Sequence, residues 1–445
     1  MAALRLVGAT VRQWLQPERP VPAELRSYFD HLIWDIAWMG VVAGSSMSFI
    51  GVYVARLGAT PFEMGLLNAG PALVGLLFTM PVGVWLGSQP MGKAVFWSAA
   101  WTRVAYLLWV LLPYLLPAPQ QILSYIGLIL FMTVPGTVLA VGFNALYAAA
   151  VPPEWRAHVA GRRNAVFSLV FVVTSLLSGY LLDVLPTTPG YPLLFALGLG
   201  GAAMSTYHLW HLRHITTESI TEPQKIRSSF GDFGRPGDVR TDGMSMRTNF
   251  GLRAFTRGVK LLRVDVLRGS YGRVVTALLV FHLAQFLPVP VFPLYWVDVL
   301  HFTDWEIGLA TAAFHLTVLL GSLRFARLSA AWGTHRLAVT GALILSTYPL
   351  LTTVSYTLGL FILTSVIGGI SWFMVAGAVG MYLLSQLPAE DRPAYLAWYN
   401  LALNAAMLSG SLGGSLLAGW LGLAETLWLA AALRVLAGLV IWFWR

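Results

Sequence analysis

Three ionisable side chains, Asp35, Arg103 and Arg434, lie inside long apolar stretches, where water is not at hand to solvate a charge. An embedded carboxylate can pick up a proton or meet a cation. An embedded guanidinium stays charged and either attracts an anion or braces backbone carbonyls. Softer polar groups accompany them: Asn144, Tyr147, His282, Gln285, Ser371, Trp372 and Tyr382, and on neighbouring stretches Asn68, Asn164, His315, Asn400 and Asn404. For each amide the competing reading is an interhelical hydrogen bond. His282 has the further option of changing charge near neutral pH. The candidates for substrate contact or proton coupling are therefore Asp35, Arg103, Asn144, His282, Gln285 and Trp372.

Two other patterns fail on inspection. Gly87-Ser-Gln-Pro-Met-Gly92-Lys93 approximates a phosphate-binding loop, but Ala94 stands where a magnesium-holding hydroxyl is needed, and an apolar helix precedes it. It reads as a tight turn. His208, His211 and His214 recur every third residue with no carboxylate among them, which fits interfacial side chains better than a metal site. With no cysteine, disulfides and thiolate chemistry are excluded. No cofactor and no enzymatic nucleophile–base pair is expected, and no metal site.

These residues need elements to hold them, and the composition says which. Of 445 residues, 57% are hydrophobic and 11% charged, against about 25% charged in a soluble domain. Of the 47 charges, 25 fall in residues 1–30 and 213–273, leaving 22 for the other 354 residues. Only a bilayer accommodates such a chain. Apolar stretches long enough to cross it fall at 31–55, 63–87, 94–116, 121–148, 159–183 and 190–212, then 273–298, 306–329, 336–356, 358–386, 393–419 and 424–444. The organisation expected is a tail over 1–30, a six-helix half over 31–212, a basic linker over 213–269 and a second half over 270–445. The tail lacks the pattern of a cleaved signal and is expected to be retained.

With the N-terminus inside, 25 of the 28 basic residues fall on the inner side, Arg56 alone falls outside, and Arg103 and Arg434 fall within spans. Both termini and the linker are thus expected in the cytoplasm of a cell-membrane protein. The net charge of +9 follows this loop bias rather than a nucleic-acid partner. Leu252, Phe255, Val259, Leu262 and Val266, interleaved with Arg253, Arg257, Lys260 and Arg263, form an amphipathic basic pattern suited to anionic lipid; Leu4, Val7, Val11 and Trp14 repeat it weakly.

The halves repeat each other. Thr60-Pro-Phe-Glu63-Met-Gly65-Leu66 returns as Thr303-Asp-Trp-Glu306-Ile-Gly308-Leu309, and Ser27-Tyr28 as Ser270-Tyr271, both at an offset of 243. Pro152-Pro-Glu154-Trp-Arg156 returns as Pro388-Ala-Glu390-Asp-Arg392 at an offset of 236, each followed eight residues on by Asn164 or Asn400. Parallel repeats of this kind build transporter folds. Pro288, Pro290 and Pro293 break the seventh stretch, and Gly40 and Gly44 give the first a small-residue face. Glu154, Arg156, Asn164, Glu390, Arg392, Asn400, Pro288 and Pro290 are the candidates for gating or inter-half contacts.

Six plus six helices, a long central loop and Pro-x-Glu-x-Arg loops after spans 4 and 10 resemble the major facilitator superfamily over about residues 27–445. The resemblance implies an all-α polytopic membrane protein of two pseudo-symmetric six-helix bundles, with one central cavity exposed alternately to each side. It departs at Gly87, where the family's loop between spans 2 and 3 usually carries an Asp. The expected function is secondary or facilitative transport of a small solute, with protons as a candidate coupling ion and lipids as partners. The alternative is a polytopic protein that does not transport, such as a sensor or a lipid scramblase.

Overall fold

The computed structural model describes residues 21–215, 264–385 and 392–443. The amphipathic basic segment, the N-terminal pattern and Glu390 lie outside the described residues, apart from a short 3-10 turn over Val264–Leu267. Among the described residues, twelve helices occupy the apolar stretches. The first half comprises α1 (Ala23–Arg56), α2 (Pro61–Leu86), α3 (Met91–Leu115), α4 (Ala118–Ala150), α5 (Pro153–Val184) and α6 (Thr187–His211). In the second, α7 (Ser270–Val299) is broken, and α8 (Asp304–Ser322) continues as Phe325–Trp332 after a 61° bend. The half closes with α9 (Thr334–Thr353), α10 (Leu358–Ser385), α11 (Arg392–Leu421) and α12 (Leu423–Phe443). Among the described residues nine helices are long and apolar enough to cross a membrane, or ten with the bent pair; α6 and α9 are long enough but more polar.

Two helices start earlier than the apolar stretches. α1 begins at Ala23, because Leu25, Phe29 and Leu32 keep one side packed while Glu24, Arg26 and Asp30 face outward. α5 begins at Pro153, a favoured first helical position. That start carries Arg163 three turns into the helix, so it is not the loop residue its neighbours Arg156 and Arg162 suggest.

Pairings repeat with a step of six. α1 packs on α5 and α6, α2 on α4, and α3 on α4 and α6; α7 packs on α11 and α12, α8 on α10, and α9 on α10 and α12. The halves meet through α2 with α11 and α5 with α8, a pair that an approximate twofold axis exchanges. The repeated Thr-x-x-Glu motifs do the same work in each half: Thr60–Glu63 and Thr303–Glu306 form reciprocal capping boxes that start α2 and α8.

The end of the molecule bearing Thr60 and Thr303 is closed between the halves. A Cβ on Gly179 of α5 would lie 2.9 Å from the Asp304 carbonyl oxygen, and one on Gly308 of α8 would lie 3.1 Å from the Gly179 Cα. Gly65 of α2 likewise abuts the Ser415 side chain of α11. Gly40 and Gly44 serve a different contact, letting α1 approach α5 at Phe167 and Phe171. The turn at Gly87–Lys93 joins α2 to α3, with Gly92 against the Arg213 backbone.

Candidate functional site

In the first half, the buried charges form one network. The Ser205 hydroxyl of α6 donates to Asp35 Oδ1 at 2.6 Å, and Arg103 Nη2 of α3 donates to that hydroxyl at 2.7 Å. Arg163 Nη2 of α5 stands 3.6 Å from Asp35 Oδ2, and its Nη1 donates to the Leu32 carbonyl at 2.6 Å. Phe143 of α4 covers the Arg163 guanidinium at 4.7 Å. Asp35, Arg103 and Arg163 are all buried, so one carboxylate and two guanidiniums share this network. Arg103 Nε and Nη1 have no hydrogen-bond partner. Arg163 is the member that sequence reading missed. It lies four residues inside the expected stretch 159–183 but is counted there with the inner-side charges; the helix start at Pro153 carries it deeper by nearly two turns.

In the second half, one guanidinium repairs two proline breaks. In a helix the carbonyl of residue i accepts from the N–H of residue i+4. Pro288 therefore leaves the Ala284 carbonyl of α7 without a partner, and Pro349 leaves the Leu345 carbonyl of α9 without one. Arg434 of α12 donates Nε to Ala284 O at 3.3 Å, Nη1 to Leu345 O at 3.1 Å and Nη2 to Gln285 O at 3.0 Å. The Gln285 carbonyl is free because the Val289 N–H turns back to Phe286 O. Helix α7 thus stops at Phe286 and resumes at Val291, with Pro288 and Pro290 in the break.

Beside this brace lies a half-open cavity of about 210 Å³ lined by α7, α8, α9, α10 and α12. Gln285, Trp372 and Arg434 line one end, Trp296 and Phe361 the other, and Phe314, His315 and Tyr348 the middle. Four buried polar atoms of this lining have no partner: Gln285 Oε1, Trp296 Nε1, His315 Nδ1 and Trp372 Nε1. Buried polar atoms are almost always paired, so four around one cavity mark a place built for a polar guest. Phe171 of α5 packs on the His315 ring at 4.0 Å, which sets the cavity against the seam between halves.

Of the expected site residues, Gln285 and Trp372 meet here, joined by His315. Asp35 and Arg103 meet in the other half. His282 joins neither group: its Nε2 contacts the Tyr399 hydroxyl at 3.1 Å within the core of its half. Asn144 and Asn400 bond carbonyls one turn back in their own helices, as Asn68 and Asn404 do. Asn164 Nδ2 is buried without a hydrogen-bond partner. Arg156 caps the end of α4, donating to the carbonyls of Ala148 and Val151; Glu154 opens α5. Of Arg392 only the backbone is described. His31 joins the histidine row, its Nδ1 3.0 Å from that of His208 and its ring stacked on His211 at 4.4 Å.

At the closed end, Arg56 Nε of α1 donates to Asp304 Oδ1 of α8 at 2.9 Å, and Arg56 Nη2 to the Phe302 carbonyl at 2.9 Å. The Tyr191 hydroxyl of α6 donates to the same Asp304 oxygen at 2.9 Å. These bonds tie one half to the other. Sequence reading placed Arg56 outside the spans without giving it a partner, because Asp304 is 248 residues away.

Residues 274–445 match the family model of the Major Facilitator Superfamily. The fold extends that likeness over nearly the whole chain. A bacterial homologue of the iron transporter ferroportin in its inward-facing state superposes with a TM-score of 0.69, at 12% identity over 96% of this chain and 99% of that one. A bacterial ferroportin homologue in its outward-facing state gives 0.58, at 13% identity over 94% and 98%. The nucleoside transporter NupG gives 0.64, at 10% identity over 94% and 98%. No curated protein matches the sequence. The two-half helical plan read from the repeats is thus the fold that this multi-pass membrane protein shares with these transporters.

Proposed function

We infer that the chain is a secondary transporter that carries a small solute by alternating access. The cavity between α7 and α12 receives the solute, and the seam at the Thr60 end is one of the gates. The observation that carries this reading is the pairing of a polar-lined cavity against the seam with a seam held at one end by an ion pair and facing glycines. A non-transporting sensor has no need of both.

The basic residues supply the orientation. Lys93, Arg324, Arg327 and Arg336 cluster at the end opposite Thr60, as do the arginines flanking the linker, which supports reading that end as cytoplasmic. The Thr60 end is then external, and the described conformation is closed to the outside. The better superposition on the inward-facing ferroportin homologue supports this. Asp35 and Arg163 are the candidates for coupling, since a buried pair can exchange its partner for a proton.

The test is flux. Purified protein in proteoliposomes should accumulate or exchange solute in a saturable way, and the rate should fall when cysteines replacing Tyr180 of α5 and Trp305 of α8, whose rings lie 6.1 Å apart across the seam, are joined by a short bifunctional thiol reagent. Undiminished flux through the cross-linked seam would refute alternating access at this gate.

A further inference from the structure

The cavity between α7 and α12 is polarised along the helix axes. Phe361 and Trp372 both line it and stand eleven residues apart in α10, about 16 Å at 1.5 Å per residue. The end near Phe361 is aromatic: Trp296 stacks on Phe292 at 5.9 Å and lies 5.6 Å from the Phe361 ring. The end near Trp372 is donor-rich. It holds the unpartnered Trp372 Nε1, the Gln285 amide and the Arg434 guanidinium. A guanidinium has five N–H bonds, and three of those on Arg434 go to backbone carbonyls, so two remain. Among the described residues, none that lines the cavity is acidic. The charge on Arg434 therefore has dipoles around it and no counter-ion within this lining, in a setting where a missing partner is costly. Gln285 Oε1 is the one fixed acceptor at this end, and rotation of the amide presents its NH₂ instead.

On the transporter reading above, we propose that the solute is a small ring-bearing carboxylic acid. Its ring sits between Trp296, Phe361 and the Phe314–Tyr348 pair, and its carboxylate meets Trp372 Nε1, Gln285 and the field of Arg434. The size agrees. An apolar cavity of about 150 Å³ takes benzene, so about 210 Å³ holds one ring with a short acid-bearing arm. The charge agrees as well, because an amine would enter a lining that carries the Arg434 cation and, among the described residues, no carboxylate. A neutral polyol would satisfy the donors but leave the cation without its anion.

The experiment compares phenylacetate and 3-phenylpropionate with phenylacetamide and benzylamine, using equilibrium binding to the full-length protein in nanodiscs at pH 7. Tryptophan fluorescence and thermal shift give two readouts independent of transport. The acids should bind at least tenfold more tightly than the amide, and the amine should not bind. Trp372→Phe, which removes the indole N–H, should cut acid affinity about five- to tenfold and cost the amide, whose neutral carbonyl makes a weaker bond, clearly less. Equal binding of acid and amide, preference for the amine, or no binding of either acid would overturn the assignment. So would an equal loss for acid and amide in Trp372→Phe. Proteoliposome uptake separates this from the broader reading. Acid binding without flux of any solute sinks transport and leaves the binding class standing; flux of another solute by a protein that ignores the acids sinks only the class.

Discussion

Replacing Arg434 by Met, which keeps the length and removes the donors, leaves the carbonyls of Ala284, Gln285 and Leu345 unpaired in an apolar setting. At about 1 kcal/mol each, the low end for a buried unsatisfied group, that is about 3 kcal/mol. Removing the cation also relieves its own desolvation, so the net loss is about 1–3 kcal/mol, and the single mutant discriminates poorly. The sharper measurement is a double-mutant cycle. Pro288→Ala gives residue 288 an N–H that can reach Ala284 O, and Pro349→Ala does the same for Leu345 O. Either bond is redundant while Arg434 is present and valuable once it is gone. Each alanine should therefore restore about 1 kcal/mol more stability in the Arg434→Met background than in the parent. Because the effects of alanine on packing and chain flexibility are common to both backgrounds, they cancel in the cycle. Reversible unfolding of the purified protein in mixed micelles gives the four free energies. Coupling within about 0.3 kcal/mol of zero for both prolines would show that the guanidinium is not the cap.

Asp35→Asn should destabilise the protein by about 3–5 kcal/mol, because it removes the carboxylate charge that Arg163 meets and that Ser205 links to Arg103, and adding Arg163→Gln should return part of the loss. A thermal melt unchanged by Asp35→Asn would mean the network holds nothing, while an unchanged pH dependence of flux would remove Asp35 from coupling. Breaking the Arg56–Asp304 pair with Asp304→Asn should favour opening of the Thr60 end about fivefold, since the pair is partly exposed and worth about 1 kcal/mol. With no native cysteine, the reactivity of a single cysteine at Ser415 reads that opening, and an unaltered labelling rate would argue against the gate. Gly308→Leu should prop the same end open more strongly, because the Gly179 backbone leaves no room for a side chain. For orientation, cysteines at Thr60 and Thr303 should react with an impermeant reagent from outside the cell and one at Ser88 should not; the reverse pattern would invert the assignment.

The sequence by itself determined the class, the number of helices, the two-half plan and the twofold relation. The class and helix count depend on composition and the length of single stretches, since a bilayer leaves an apolar stretch of about 20 residues little choice but a helix, and the two-half plan depends on motifs that recur at a nearly fixed offset. The repeated capping motifs at Thr60 and Thr303 were legible too, since a capping box closes within four residues. Helix starts were less legible. α1 and α5 begin in polar sequence because packing on one side is enough to hold a turn, and the start of α5 carries Arg163 deeper into the helix.

What only the tertiary structure decided is which polar groups meet. Asp35 finds Ser205 at a separation of 170 residues, and Arg56 finds Asp304 at 248. No local pattern carries information across such distances. Arg434 shows the division most plainly. Its depth in α12 and the prolines of α7 were each visible in the chain, yet a proline states only that some carbonyl is free. Which cation satisfies that carbonyl is set by how α7, α9 and α12 pack, and the same packing leaves a cavity lined by unpaired indole, imidazole and amide groups. Each of those side chains, read alone in its helix, is as consistent with an ordinary interhelical hydrogen bond. Only their convergence without partners, which is a property of the fold, distinguishes a binding site from a packed core.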